Sequence, residues 1–125
     1  MSIDAIVLRR TLYRDNDLIV ELLTPDSGSV SAIARGARKS QRRFAGGLEV
    51  GSRLRVEMSR RGKGLATLTG CQLVAPLKSI RHDLDRFHHL AYALELSRAL
   101  SSEGRADPVC YAMLVHFMEQ LDAEG

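Results

Sequence analysis

From Ile3 to Leu77 the apolar residues come in short runs separated by turn formers, and after Ile80 they recur at helical spacing. Ile3 to Leu12 (IDAIVLRRTL) is rich in branched apolar residues and predicts a strand buried on both sides at its start. Leu18 to Thr24 predicts a second. Thr24-Pro25-Asp26-Ser27-Gly28 supplies a preset φ, side-chain turn bonds and a positive-φ position, so it should close a hairpin onto Ser29 to Ala34. Arg53 to Arg60 alternates, with Leu54, Val56 and Met58 on one face and Arg53, Arg55 and Glu57 on the other, as a half-exposed antiparallel strand does. Arg61 to Gly64 turns the chain into a fifth strand, Leu65 to Leu77, in which Gly70 is placed for a bulge or bend.

Five short strands with a long connection between the third and fourth suit a small barrel better than a sandwich. The expectation is a mainly β fold, an OB-type barrel over residues 1–78, followed by a partial α-helical domain over residues 79–125. Ile80, Leu84, Phe87, Ala91, Leu94 and Leu100 set the helical stripe within Ile80 to Ser101, with Ser79 as N-cap. Gly104 is placed to end that helix. Asp107-Pro108 restarts the chain with a capping residue and a proline at the first helical position, and Tyr111, Leu114, Phe117, Met118 and Leu121 form a second stripe. A hairpin of two helices with wide apolar faces lacks the third helix of a bundle, so it either packs on the barrel or begins a larger helical domain.

Charge changes the picture. The 125 residues carry a net charge of +3, but residues 1–78 hold 14 Lys and Arg against 7 Asp and Glu, whereas residues 79–125 hold 4 against 8. No acidic residue occurs from Ser27 to Leu48, a stretch containing Arg35, Arg38, Lys39, Arg42 and Arg43. Such a run repels itself unless a polyanion is near, so it is either a solvated loop or a nucleic-acid contact. In Arg35 to Gly47 the guanidinium forks suit phosphate oxygens, the glycines permit close backbone approach, and Phe44 offers a stacking face. Arg53 and Arg55, with Arg60, Arg61 and Lys63, form a second basic set. The binding expected is dominated by phosphate contacts and is salt-sensitive.

Other chemistry is poorly supported. There is no CxxC, His88 and His89 are adjacent, and Asp83 and Asp85 in a helix project apart, so no metal site is expected. No GxSxG elbow occurs, and Gly36-Ala37-Arg38-Lys39-Ser40 lacks the glycines of a phosphate-binding loop. Cys71 and Cys110 read as small core residues with reduced thiols. The N-terminus lacks the pattern of a secretory signal and no apolar run reaches the ~18 residues of a membrane span, so a cytoplasmic protein without membrane contact is expected. The expectation is a non-enzymatic binder. An RNA-binding OB module and a protein-interaction adaptor docking through its helix stripes are the alternatives.

One resemblance sharpens this. Leu8-Arg9-Arg10, Tyr13, Asp15-Asn16-Asp17-Leu18, Val20 to Thr24, Gly28, Ala34-Arg35-Gly36-Ala37-Arg38-Lys39-Ser40 running to Arg43-Phe44, Leu65 to Leu68, Leu73-Val74, and then Arg81, Asp83, Leu84 and Tyr92 together resemble the bacterial RecO family of DNA repair proteins. The resemblance spans essentially the whole chain, and the Ala-Arg-Gly-Ala-Arg-Lys-Ser element is its most specific part. It implies an OB barrel followed by an α-helical domain, and a recombination mediator that binds single- and double-stranded DNA and anneals complementary strands. It also implies contacts with RecR and with the tail of single-strand-binding protein, and help in loading RecA onto coated strands. Arg35, Arg38, Lys39, Arg42 and Arg43 match the family's basic element, and Arg9 and Arg10 match its strand-end arginines, which serve either DNA or ion pairs with Asp15 or Asp17. Gly36 is expected to meet a backbone requirement for positive φ. Family members are longer, and many carry a Cys-rich zinc module in the later half, which is absent here; the chain is expected to be a fragment or a short member with no cofactor.

Overall fold

The structure is a computed structural model, and it describes residues 2–37, 44, 48–60, 65–75, 80 and 83–123. Five strands, β1 (Ser2–Arg14), β2 (Asp17–Thr24), β3 (Gly28–Ala34), β4 (Arg53–Ser59) and β5 (Ala66–Ala75), close a barrel in the order β1-β2-β3-β5-β4. All neighbours are antiparallel except β3 and β5, which meet through Ala32↔Ala66 and Ile33↔Thr67. Two helices follow, α1 (Leu84–Leu100) and α2 (Pro108–Ala123). The mainly β fold with a C-terminal helical pair is the one the sequence predicts.

Alternation along β1 explains how barrel and helices share one strand. Ala5 and Val7 point into the barrel with Val20, Leu22, Leu54, Val56 and Leu68, all buried. Ile6 and Leu8 point outward and are buried equally well, because Leu23, Leu90, Leu94, Leu114, Met118 and Leu121 cover them. A strand with apolar residues on both faces needs cover on both faces, and here the helices supply the second.

The helix ends differ from expectation in instructive ways. α1 begins at Leu84 with Asp83 as its N-cap, the carboxylate accepting from the N–H groups of Asp85 at 3.0 Å and Arg86 at 3.3 Å. Asp83 is extended, as a cap must be, and its charge meets the positive end of the helix. Ser79, the expected cap, lies outside the described residues. The buried face of α1 is Leu90, Leu94 and Ser97, while Leu84, Phe87 and Leu100 of the expected stripe are exposed. α1 is apolar around much of its circumference, so spacing alone does not select the face. Gly51, at φ 88°, does: a Cβ there would stand 3.0 Å from Leu90 Cδ2. Asp107 caps α2 as predicted, accepting from the Cys110 N–H at 3.0 Å. Gly104, at φ 74°, does not end α1, which stops at Leu100. It sits in the link, where its N–H donates to Ser29 O at 3.3 Å and Ser29 N donates to Ser102 O at 3.3 Å, pinning the link to the start of β3. The bulge expected at Gly70 lies one residue earlier: Glu57 faces Gly70 and Met58 faces Leu68, leaving Thr69 unopposed.

Candidate nucleic-acid interface

The barrel carries its basic residues in two places. The first is the far half of β1. Up to Ile6 this strand is paired with β4, and Val7 still exchanges backbone bonds with Gly51 and Ser52. At Leu8 the register with β2 slips, since Val7 faces Leu22 and Arg9 faces Glu21. This bulge turns the strand away from β4, and beyond it β1 pairs with β2 alone among the described residues. Every residue from Arg9 to Arg14 is exposed. Arg10 and Leu12 face Val20 and Leu18, which point into the barrel, so they stand at its open mouth rather than on its outer wall.

A second slip follows. Leu12 faces Leu18 and Arg14 faces Asp17, leaving Tyr13 unopposed. The Arg14 guanidinium lies over the Tyr13 ring, 5.1 Å from its centroid. Asp17 does not pair with Arg9 or Arg10; its Oδ1 accepts from the Gly36 N–H at 2.7 Å. That bond ties the start of the basic connection to the tip of the hairpin, and Gly36 has the positive φ, 67°, that the sequence required of it. Arg35 is therefore exposed beside the arm that carries Arg9, Arg10 and Arg14. Arg38, Lys39, Arg42 and Arg43 follow Ala37 directly and lie outside the described residues. No ion pair joins Arg9, Arg10 or Arg14 to a described residue. Glu21, the carboxylate opposite Arg9, is held by Arg98 Nε at 3.0 and 3.1 Å, a contact whose hydrogen bond and charge raise the arginine's pKa above its ordinary value.

The second place is β4. Arg53 and Arg55 were expected to extend the phosphate track, and the structure does not bring them to the arm. Arg55 sits opposite Asp4 and donates to its Oδ1 at 3.1 Å; Arg53 lies 3.7 Å from Glu119 of α2, and its Nε is buried with no hydrogen-bond partner. Asp4, Arg53 and Arg55 line a cleft with Tyr111, Val115 and Glu119, under α2. Asp4 and Tyr13 are nine positions apart on one strand, on the order of 30 Å at strand rise.

Phe44 is the clearest correction. It was expected to offer a stacking face, but it is 3% exposed and packs in the barrel interior, bridged to Cys71. A lone aromatic ring in a polar, glycine-flanked stretch finds its cheapest place in the nearest core. Arg14 is not among the residues that the sequence singles out, and Tyr13 counts there only as one of two aromatics in the basic half, too few for extensive stacking, and as part of the resemblance. The signal for both was present as a basic and apolar strand end, RRTLYR, next to a tight turn.

The thiols fit packing rather than reactivity. Burial pushes Cys71 up to about 11, and burial followed by the charge of Asp107 raises Cys110. Among the described residues no group of His, Cys, Asp and Glu is arranged to hold a metal ion, and no helix is long and apolar enough to cross a membrane.

Comparison with known proteins agrees with the resemblance. A family model described as Recombination protein O N terminal matches residues 1–77. The chain is 43% identical over 122 residues to the DNA repair protein RecO of Geobacter sulfurreducens, covering 98% of this chain and 50% of that protein. It is 40% identical over 121 residues to the RecO of Myxococcus xanthus, covering 97% and 50%, and 37% identical over 114 residues to that of Symbiobacterium thermophilum, covering 91% and 45%. The chain thus spans about half the length of the curated relatives it matches.

Proposed function

Since the chain belongs to the family described as the N-terminal part of recombination protein O, we propose that it is the DNA-binding portion of a recombination mediator acting in DNA repair. The observation that carries the proposal is the exposed arm of β1. It gathers Arg9, Arg10 and Arg14 near Arg35, and the first three form no ion pair with a described carboxylate: Glu21, opposite Arg9, is taken by Arg98, and Asp17, opposite Arg14, accepts from Gly36. Guanidinium groups held on a strand at the mouth of a barrel take phosphate oxygens in register, and the counterions they displace give the affinity. Arg38, Lys39, Arg42 and Arg43 follow in the chain and add positive charge to the connection that starts at Arg35. Both single- and double-stranded DNA offer phosphates, so both are ligands.

Annealing follows from the same chemistry. Two strands repel through their phosphates, and a cationic surface that screens them leaves the pairing edges of the bases free. No bond is made or broken, so the protein is a binder and not an enzyme, and no cofactor takes part. Family membership supports RecR, single-strand-binding protein and RecA as partners of the full-length relatives, with the protein working in the cytoplasm on the nucleoid.

The protein-adaptor reading draws on a different observation, the exposed Tyr92, Leu96, Leu100, Val109 and Met113 along α1 and α2. One experiment separates the two. Fluorescence anisotropy of a labelled oligo-dT is titrated with the chain at several salt concentrations, without added metal. The expected result is a linear fall of log affinity with log salt, at about −0.7 per contacted phosphate, which flattens by about two units when Arg10, Arg14 and Arg35 become Gln. Absence of binding at low salt in the unaltered chain removes the DNA reading and leaves the adaptor.

A further inference from the structure

We propose that Tyr13 is a base-stacking residue, so that the tip of the β1 arm holds an unpaired nucleobase as well as its phosphate; this rests on the DNA-binding reading above. Three observations converge on it. First, all six aromatic residues of the chain are described, and only Tyr13 and Phe44 belong to the barrel half. Phe44 is 3% exposed and Tyr13 is 47% exposed, so the barrel presents one ring to solvent. Second, Tyr13 is the unopposed residue of the bulge between Leu12↔Leu18 and Arg14↔Asp17. A bulged residue leaves the alternation of its strand, and bulges beside binding sites commonly re-aim a side chain. Third, the Arg14 guanidinium stands 5.1 Å from the Tyr13 ring centroid and Leu12, next in line, is 63% exposed. An exposed leucine and an exposed tyrosine therefore stand at one hairpin tip, each with much of its apolar surface open to solvent.

The ligand chemistry follows from the pair. A nucleotide presents a flat π-face joined to a phosphate, and Tyr13 with Arg14 presents a ring joined to a cation. Stacking takes the face of a base and leaves its pairing edge exposed, so one such ring anchors a single strand without blocking its complement. In duplex DNA the base faces are already stacked on each other, so Tyr13 selects single strands and contributes nothing to duplex binding.

The test compares three ligands of equal length by anisotropy at fixed salt: oligo-dT, an oligonucleotide of the same backbone with abasic sites throughout, and a duplex. Variants Tyr13→Ala, Tyr13→Leu and Tyr13→Phe are measured beside the unaltered chain, with circular dichroism melts for each. The expected result is a loss of roughly tenfold in oligo-dT affinity for Tyr13→Ala and Tyr13→Leu, retention in Tyr13→Phe, and an unchanged salt slope. Affinity for the abasic backbone and the duplex stays the same in all variants. Equal losses on the abasic backbone, or no loss on oligo-dT, overturn the stacking role while leaving the phosphate site standing. Failure of the unaltered chain to bind any of the three overturns both. Tyr13→Phe isolates the hydroxyl, and the melts of Tyr13→Ala and Tyr13→Leu guard against a folding artefact, because a structural role for the ring would move the melt rather than the ratio of oligo-dT to abasic affinity.

Discussion

The two halves of β1 belong to one strand and live in opposite surroundings. From Ala5 to Leu8 every side chain is buried, alternately in the barrel and beneath the helices; from Arg9 to Arg14 every side chain is exposed. The first half has β4 on its free edge and the second half has only β2. Position in the strand therefore says less than what lies beside it: where both faces are covered, apolar residues stabilise the fold, and past the bulge at Leu8 the same hydrogen-bonded backbone holds cations out to solvent. A strand of 13 residues thus anchors a core at one end and presents an exposed cationic surface at the other.

The sharpest break of this contrast is a matched pair of truncations. Ile6→Ala empties a fully buried position between barrel and helices and should cost about 2–5 kcal/mol, whereas Leu12→Ala, on the exposed half, should stay within about 0.5 kcal/mol. Urea unfolding of both variants measures the difference, and equal losses would mean that the arm packs as tightly as the core. Gly28→Ala probes the same seam from the other side. Gly28 has φ 62°, and a Cβ there would overlap the carbonyl oxygens of Arg105 and Ser102, so a loss of about 2–4 kcal/mol is expected, with the link between α1 and α2 displaced from the barrel.

Charge draws the same line with a smaller effect. Replacing Arg10 and Arg14 with Gln should lower oligo-dT affinity roughly tenfold at moderate salt and flatten the salt dependence by about 1.4 units, two single-strand phosphates at ~0.7 each. The control is Arg53→Gln with Arg55→Gln. These arginines already face Glu119 and Asp4, so the double change should leave affinity within about twofold. Stability should fall by no more than about 1 kcal/mol, since both pairs are partly exposed. If the β4 pair governs the salt slope instead, the arm is not the interface and the cleft under α2 is.

Much of this contrast was legible in the sequence, and the rest was hidden for physical reasons. The start of β1 reads as a strand covered on both faces because Ala5 to Leu8 are four consecutive apolar residues, and both faces are covered there. The five strands, the turn at Gly28 and the cap at Asp107 follow from local chemistry and appear where that chemistry puts them. Which arginines are neutralised does not follow, because Asp4 meets Arg55 from 51 positions away and Glu21 meets Arg98 from 77. Phe44 escaped for a related reason: it follows a basic run and precedes two glycines, with no apolar periodicity around it, and only the closed barrel provides the core that takes it in. The buried face of α1 was unreadable because Leu84, Phe87 and Leu100 compete with Leu90 and Leu94, and the docking surface around Gly51 decides.

The smallest effect tests the covered half of β1 through a proton. Tyr111 of α2 lies in the cleft with Asp4, Arg53 and Arg55, and burial first, then the Asp4 carboxylate, raise its phenol above the ordinary value of 10.0, while the two arginines pull it back. A phenol whose pKa is raised on folding contributes stability that is fully present below its unfolded value and is lost as pH rises through the folded one. Stability should therefore decline in the window beginning near pH 10. The tyrosinate absorbance at 295 nm, taken as the difference between the unaltered chain and Tyr111→Phe, should show a group ionising above 10. Asp4→Asn should shift that ionisation down, and Arg55→Gln should shift it up, opposite signs that a change in burial alone would not produce. A difference titration at or below 10 would mean that α2 does not close over Asp4, and that the first half of β1 is as open to water as the second.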